Sequence, residues 1–134
     1  VILATAMLCL SLNIYHEARG EPIEGRYAVA QVTMNRAGDE SRVCDEVLKP
    51  KQFSWTTNMV KGKRLLPIGI PKEEKAWRQA QAMAQIVLKN SVQNQLPNVL
   101  FYHHITKARP TWRNKMAIFA DIGNHRFYIY ERKT

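Results

Sequence analysis

The chain has only two cysteines, Cys9 and Cys44, among 134 residues. Two cysteines do not make a disulfide framework, and no CxxC pair is present to start a zinc knuckle or finger. His16–Glu17 opens like the HExxH helix of zinc proteases, but the fifth position is Gly20, so that motif fails. Low-complexity tracts, internal repeats and heptad arrays are also missing, which excludes a solenoid, a coiled coil or a disordered tail as the main architecture. The longest apolar stretch, the opening VILATAMLCLSLNI, is too short and too interrupted to span a bilayer. It lacks a basic n-region and its apolar positions run on into a helical pattern, so it reads as a core helix rather than a secretory leader.

Acid is the scarce charge. Eleven Asp and Glu face twenty Lys and Arg, a net charge of +9. Such a balance suits a polyanionic partner such as nucleic acid, anionic lipid or an acidic cell wall, or simply a solvated basic surface. The basic residues are scattered, with short clusters at Lys49–Lys51, Lys61–Arg64 and Arg132–Lys133. No RNP-like strand or basic recognition helix accompanies them, so a nucleic-acid-binding module is the rival reading from another class rather than the leading one. The 46% hydrophobic and 23% charged composition is that of a globular protein. The length fits one domain over residues 1–134, enough to bury a sizeable core.

Periodicity then divides the chain. Leu3, Met7, Leu10 and Ile14 fall within about 60° of one another on a helix that stops at Arg19–Gly20. Cys9 within it reads as a buried thiol acting as a small hydrophobe, with a Cys9–Cys44 bridge left open. Pro22 restarts the chain, and IEGRYAVAQVTMNRA predicts a second helix buried on more than one side and ended by Gly38. VCDEVL gives one or two helical turns. Residues 49–71 hold three Pro and two Gly and read as a long functional loop around QFSW. Lys72–Asn90 predicts a third helix with an Ala76, Ala80, Met83, Val87 stripe and a Glu74–Arg78 pair. NVLFYHH and HRFYIYE read as two strands pairing antiparallel across a connection that contains Pro110, Trp112 and an Asp121–Asn124 turn. The fold class is therefore α+β and helix-dominated, with a small antiparallel sheet in the C-terminal third.

Glu17 continues the apolar stripe of the first helix, about 40° from Leu3. A carboxyl facing a core or the floor of a cleft is disfavoured as an anion, and the helix C-terminus pushes the same way. Such a group can serve as a general acid near neutral pH. The residues alone leave open that Glu17 bends to solvent or pairs with Arg19 or Arg36. Glu21 and Glu24 sit where acids complement a helix dipole. His103 and His104, adjacent on a strand, point to opposite faces and do not share a metal. His125 either lines a site or bonds within a turn. Trp55, Trp112, Tyr102 and Phe127 serve either as core or as stacking platforms for sugars.

IYHEARGE (14–21), VAQVTMNR (29–36), QFSW (52–55), FYHH (101–104) and IGNHRFY (122–128) occur in this order. In that order they resemble the blocks of the SleB/CwlJ-type cell-wall hydrolases, which include spore-cortex-lytic enzymes and phage lysins. The resemblance runs over roughly residues 12–130 and rests on five ordered blocks, each weak alone. It implies a lysozyme-like α+β catalytic domain acting on peptidoglycan, with Glu17, the first acid of the EARGE block, as catalytic acid. The implied reaction is that of a lytic transglycosylase cutting the MurNAc–GlcNAc β-1,4 bond. A hydrolytic muramidase or glucosaminidase on the same scaffold is the alternative. Glu21 is then the candidate second carboxylate. Gln52, Phe53, Ser54, Trp55, Tyr102, His103, His125 and Phe127 are candidate substrate contacts. His16 and His103 depart from the family's usual small and tyrosine-rich positions. The expected partner is the peptidoglycan glycan strand, bound by a monomer, with no nucleic acid, no stable membrane insertion, and neither metal nor cofactor. The absence of a peptidoglycan-binding repeat points to a small lysin, plausible for a phage. With no leader read in the sequence, such a lysin is expected to be made in the cytoplasm and released by a partner, or delivered in a virion.

Overall fold

The computed structural model describes residues 5–49, 52–53, 55–56, 60–61, 64–65, 71, 74–107, 110 and 115–130. Its centre is α1 (Ala6–Ala18), capped by the Thr5 hydroxyl, which accepts the Leu8 N–H at 3.1 Å. Every residue from Cys9 to Tyr15 is buried, and so is Ala18. The helix is thus enclosed on all sides, not along one stripe, because α2 (Ile23–Ala37), α3 (Val43–Val47) and α4 (Lys75–Leu88) all pack against it. Leu3 of the expected stripe lies outside the described residues. A short 3-10 turn, Glu40–Arg42, leads from α2 into α3.

α1 ends where Gly20 takes φ +83°, a left-handed conformation that lets the Glu21 N–H return to the Ala18 carbonyl at 3.1 Å. The chain then turns at Pro22 into α2, whose buried Ala28, Val29, Val32 and Thr33 face the core. α4 presents Trp77, Ala80, Met83, Ala84 and Val87 inward. Glu74, expected to pair with Arg78, instead accepts the Tyr15 hydroxyl at 2.8 Å, fixing the start of α4 to α1.

Cys9 on α1 and Cys44 on α3 form a disulfide, with Cα atoms 5.3 Å apart. The buried-thiol reading of Cys9 is thereby corrected: it is buried, but bridged. The bridge closes a loop of sequence separation 35 and ties the central helix to its neighbour.

Within the 49–71 loop lies a two-residue hairpin, β1 (Val60–Lys61) with β2 (Arg64–Leu65). The C-terminal sheet contains β3 (Phe101–His104), β4 (Met116–Ile122) and β5 (His125–Tyr130) in the order β3-β5-β4, all antiparallel. β3 and β5 are the two expected strands, and Tyr102 opposes Phe127. β4 falls within the stretch read as a connection. It is an edge strand with a register shift between Ile118 and Ala120, so it lacks the clean alternation that marks a strand. Asp121 and Ile122 belong to β4, which leaves Gly123–Asn124 as the turn. Asn35 and Arg36 of α2 hold the entry to β3: Asn35 donates to the Leu96 and Val99 carbonyls and Arg36 to the Leu100 carbonyl.

Candidate active site

Glu17 occupies the last turn of α1. Burial pushes its carboxyl up to about 7. The two cations that could have neutralised it are engaged elsewhere. Arg36 pairs with Glu46 at 2.7 Å, and Arg19 donates to the Tyr15 hydroxyl at 2.6 Å with its guanidinium over that ring. A carboxyl desolvated without a paired cation holds its proton near neutrality, as acid catalysis requires.

One helical turn earlier, on the same face, stands Asn13, fully buried. Its amide donates to the Thr33 hydroxyl at 3.1 Å and accepts the Trp55 indole N–H at 3.0 Å. Trp55 also stacks on His16, ring centroids 4.8 Å apart and planes 16° off parallel. Burial, followed by the nearby Arg19, lowers the His16 imidazole below its ordinary value, so it is neutral at pH 7. Tyr102 of β3 closes another side. Its hydroxyl is buried beside the Asn13 amide without a well-formed hydrogen bond. Burial first, then the charge of Glu17, raises the phenol well above its ordinary value. Asn13, Trp55, His16 and Tyr102 are thus linked to one another or to Glu17 by contact or by charge around the last turns of α1. Asn13 was not singled out from the sequence; the available signal was an amide one turn from an acid inside an otherwise apolar helix.

Other candidates lie elsewhere. Phe127 is 0% exposed and belongs to the core, with no face to offer a sugar. Phe53 is buried as well. Gln52 donates to Glu46 at 3.0 Å. Ser54 lies outside the described residues. His103 stacks on Tyr128 and sits 2.6 Å from its hydroxyl, while His104 accepts the Thr106 and Lys107 N–H groups, so the two histidines serve separate contacts. His125 is 3% exposed and contacts Glu21. Glu21 was read as complementing the α2 dipole or as a second cleft acid. Its buried side chain instead accepts the Asn124 backbone and side-chain N–H groups. Among the described residues no group of three or more His, Cys, Asp and Glu could hold a metal ion, and no helix is long and apolar enough to cross a membrane.

A cell wall hydrolase family model matches residues 20–128, most of the chain. The chain belongs to the cell wall hydrolase family. Glu17 lies three residues before the matched span of this cell wall hydrolase, so its place in the site rests on the geometry above. Two solved structures are similar to it. One is the catalytic domain of the germination-specific lytic transglycosylase SleB from Bacillus anthracis, at TM-score 0.70 and 23% identity, with 95% of this chain and 96% of that one covered. The other is the catalytic domain of the Bacillus cereus SleB protein, at TM-score 0.61 and 24% identity, with 92% and 89% covered. They show that the cell wall hydrolase has the SleB catalytic-domain fold. Comparison with curated protein sequences gives no match.

Proposed function

We propose that this cell wall hydrolase is a lytic transglycosylase that cuts the MurNAc–GlcNAc β-1,4 bond of peptidoglycan with Glu17 as its one catalytic carboxyl. The observation that carries the reading is the desolvated, cation-free carboxyl of Glu17, raised to about 7. The activity named for the similar SleB domain of Bacillus anthracis supports it.

Glu17, protonated, gives its proton to the glycosidic oxygen as the bond from that oxygen to the anomeric carbon breaks. The resulting carboxylate takes the proton from the C6 hydroxyl of the muramic sugar. That oxygen closes onto its own anomeric carbon, giving a 1,6-anhydro end and restoring Glu17. An internal nucleophile needs no positioned water and carries a large entropic advantage. Glycosidases that use water generally need a second carboxylate. Glu21, the nearest candidate in sequence, has both oxygens occupied by the β4–β5 turn, which favours the one-carboxyl route over the muramidase alternative. Trp55 and Tyr102 are the aromatic residues that line the site. The basic surface suits acidic wall polymers. A disulfide suits action outside the reducing cytoplasm, as expected of a small lysin such as a phage endolysin.

Mass spectrometry of products from purified murein tests the reading. Anhydro muropeptides, each one water lighter than the hydrolytic product, are expected from the wild type, with none from Glu17→Gln. Products ending in a reducing sugar would establish the hydrolase instead.

A further inference from the structure

Glu21 follows Glu17 by one short turn, yet its side chain is as buried as a core residue. Its Oε1 and Oε2 accept the Asn124 backbone N–H at 3.1 and 3.2 Å, and Oε2 also accepts the Asn124 amide at 3.3 Å. Oε1 lies 3.0 Å from His125 Nδ1, a close approach that falls short of hydrogen-bond geometry. The turn is shaped around this carboxylate. Gly123 has φ +59°, and a Cβ there would meet Glu21 Oε2 at 2.5 Å. One short segment therefore carries the catalytic acid at one end and a hook into the sheet at the other.

The hook leads back to the site. His125 opposes His104 across β5 and β3, and its ring meets Tyr102 edge-on with centroids 5.4 Å apart. Tyr102 rests on Phe127 at 5.4 Å, and its hydroxyl is buried beside Asn13. We propose that Glu21 is a positioning residue: by gripping Asn124, next to His125, it seats the sheet so that Tyr102 walls water away from Glu17. This inference rests on the reading of Glu17 as the acid.

Tyr102 of β3 registers the charge of Glu17 and, in the opposite sense, that of Arg36 on α2, while His16 and Arg19 ride on α1 itself. Around the hook, His125 faces Glu21, His104 and His103. Burial lowers its imidazole below the ordinary value against the pull of Glu21. His125 is therefore neutral at pH 7, and Glu21 holds the turn through the Asn124 donors rather than through a charged histidine.

The test uses Glu21→Gln and Gly123→Ala in the full chain. Each is followed by carbon-13 NMR titration of the Glu17 carboxyl, by kcat and KM on purified murein, and by a thermal melt. A glutamine offers one acceptor oxygen where the carboxylate offers two, and Gly123→Ala pushes a methyl into the carboxylate without removing it. In both variants the Glu17 midpoint is expected to fall by about one unit as water reaches it. Misplacement of a catalytic group by about 1 Å can cost a hundredfold, so kcat is expected to drop by about tenfold or more with KM changed by less than about twofold. A folded Glu21→Gln with midpoint and kcat unchanged overturns the proposal. Lost activity with an unchanged midpoint also overturns it, because Glu21 would then act in the chemistry itself. Should Glu21→Gln fail to fold, Gly123→Ala decides by the same criteria. A wild type that releases no muropeptides would remove the functional reading, while the NMR midpoints would still decide whether Glu21 sets the surroundings of Glu17.

Discussion

The indole N–H of Trp55 meets the Asn13 amide oxygen at 3.0 Å, one helical turn from Glu17. A loop that the sequence left unstructured is thereby pinned to the most buried helix of the fold. With His16 stacked on one face of the indole, the ring is held in a fixed plane beside the acid.

Trp55→Phe keeps a stacking ring but deprives a buried Asn13 oxygen of its donor. An unsatisfied buried acceptor costs about 1–3 kcal/mol. The variant is expected to lose stability in that range in urea unfolding and to show a raised KM for murein with a smaller change in kcat. A KM equal to the wild type would place Trp55 outside the sugar-binding surface and leave it a purely structural pin.

The pH dependence of catalysis follows from Glu17. In the proposed mechanism the protonated form is the acid, so activity is expected to decline as pH rises through about 7. Burial lowers the imidazoles of His16 and His125 below their ordinary value, so neither accounts for a limb there. His16→Asn should retain the alkaline limb. Its disappearance in that variant would move the assignment from the carboxyl to the imidazole.

The same burial has a cost in stability. The Glu17 carboxyl titrates near 7 in the folded chain against an ordinary 4.5. A raised folded value favours the folded state fully below the unfolded value, and that advantage is lost as pH rises through the folded one. Between pH of about 5 and about 8 the wild type should therefore lose up to about 3 kcal/mol through this group. Glu17→Gln should lack that loss and be the more stable protein at the alkaline end while inactive. Urea midpoints of both proteins at the two pH values measure it; parallel losses would show that Glu17 is not desolvated.

Much of this was legible in the residues, and the gaps have physical causes. The helices declared themselves through period and caps, and the desolvation of Glu17 through its place on an apolar stretch. β4 was hidden because an exposed, bulged edge strand does not alternate. The two-residue hairpin β1–β2 is too short to carry a pattern. Phe127 and Trp55 are both aromatic, and only tertiary packing decides that the first fills the core while the second, half-buried, meets Asn13 and His16 beside Glu17. Glu21 and Asn124 are 103 residues apart, so a contact between them has no local signature. The Cys9–Cys44 bridge depends on α1 and α3 crossing, which spacing cannot state.

That bridge yields the last prediction. It closes a loop of sequence separation 35 between the helix that carries Glu17 and α3. By the chain-entropy argument such a link destabilises the unfolded state, by about 2–4 kcal/mol in typical cases. Cys9 is fully buried, so a variant there would mix bridge loss with altered packing, whereas Cys44 is half-buried and Cys44→Ser isolates the bridge more cleanly. Cys44→Ser is expected to unfold at a lower urea concentration by that free energy, and dithiothreitol should produce the same shift in the wild type but none in the variant. Because the bridge sits two turns from Glu17, activity at room temperature should survive both treatments so long as the chain stays folded. Equal midpoints for oxidised and reduced wild type would show that α1 and α3 are held by packing alone.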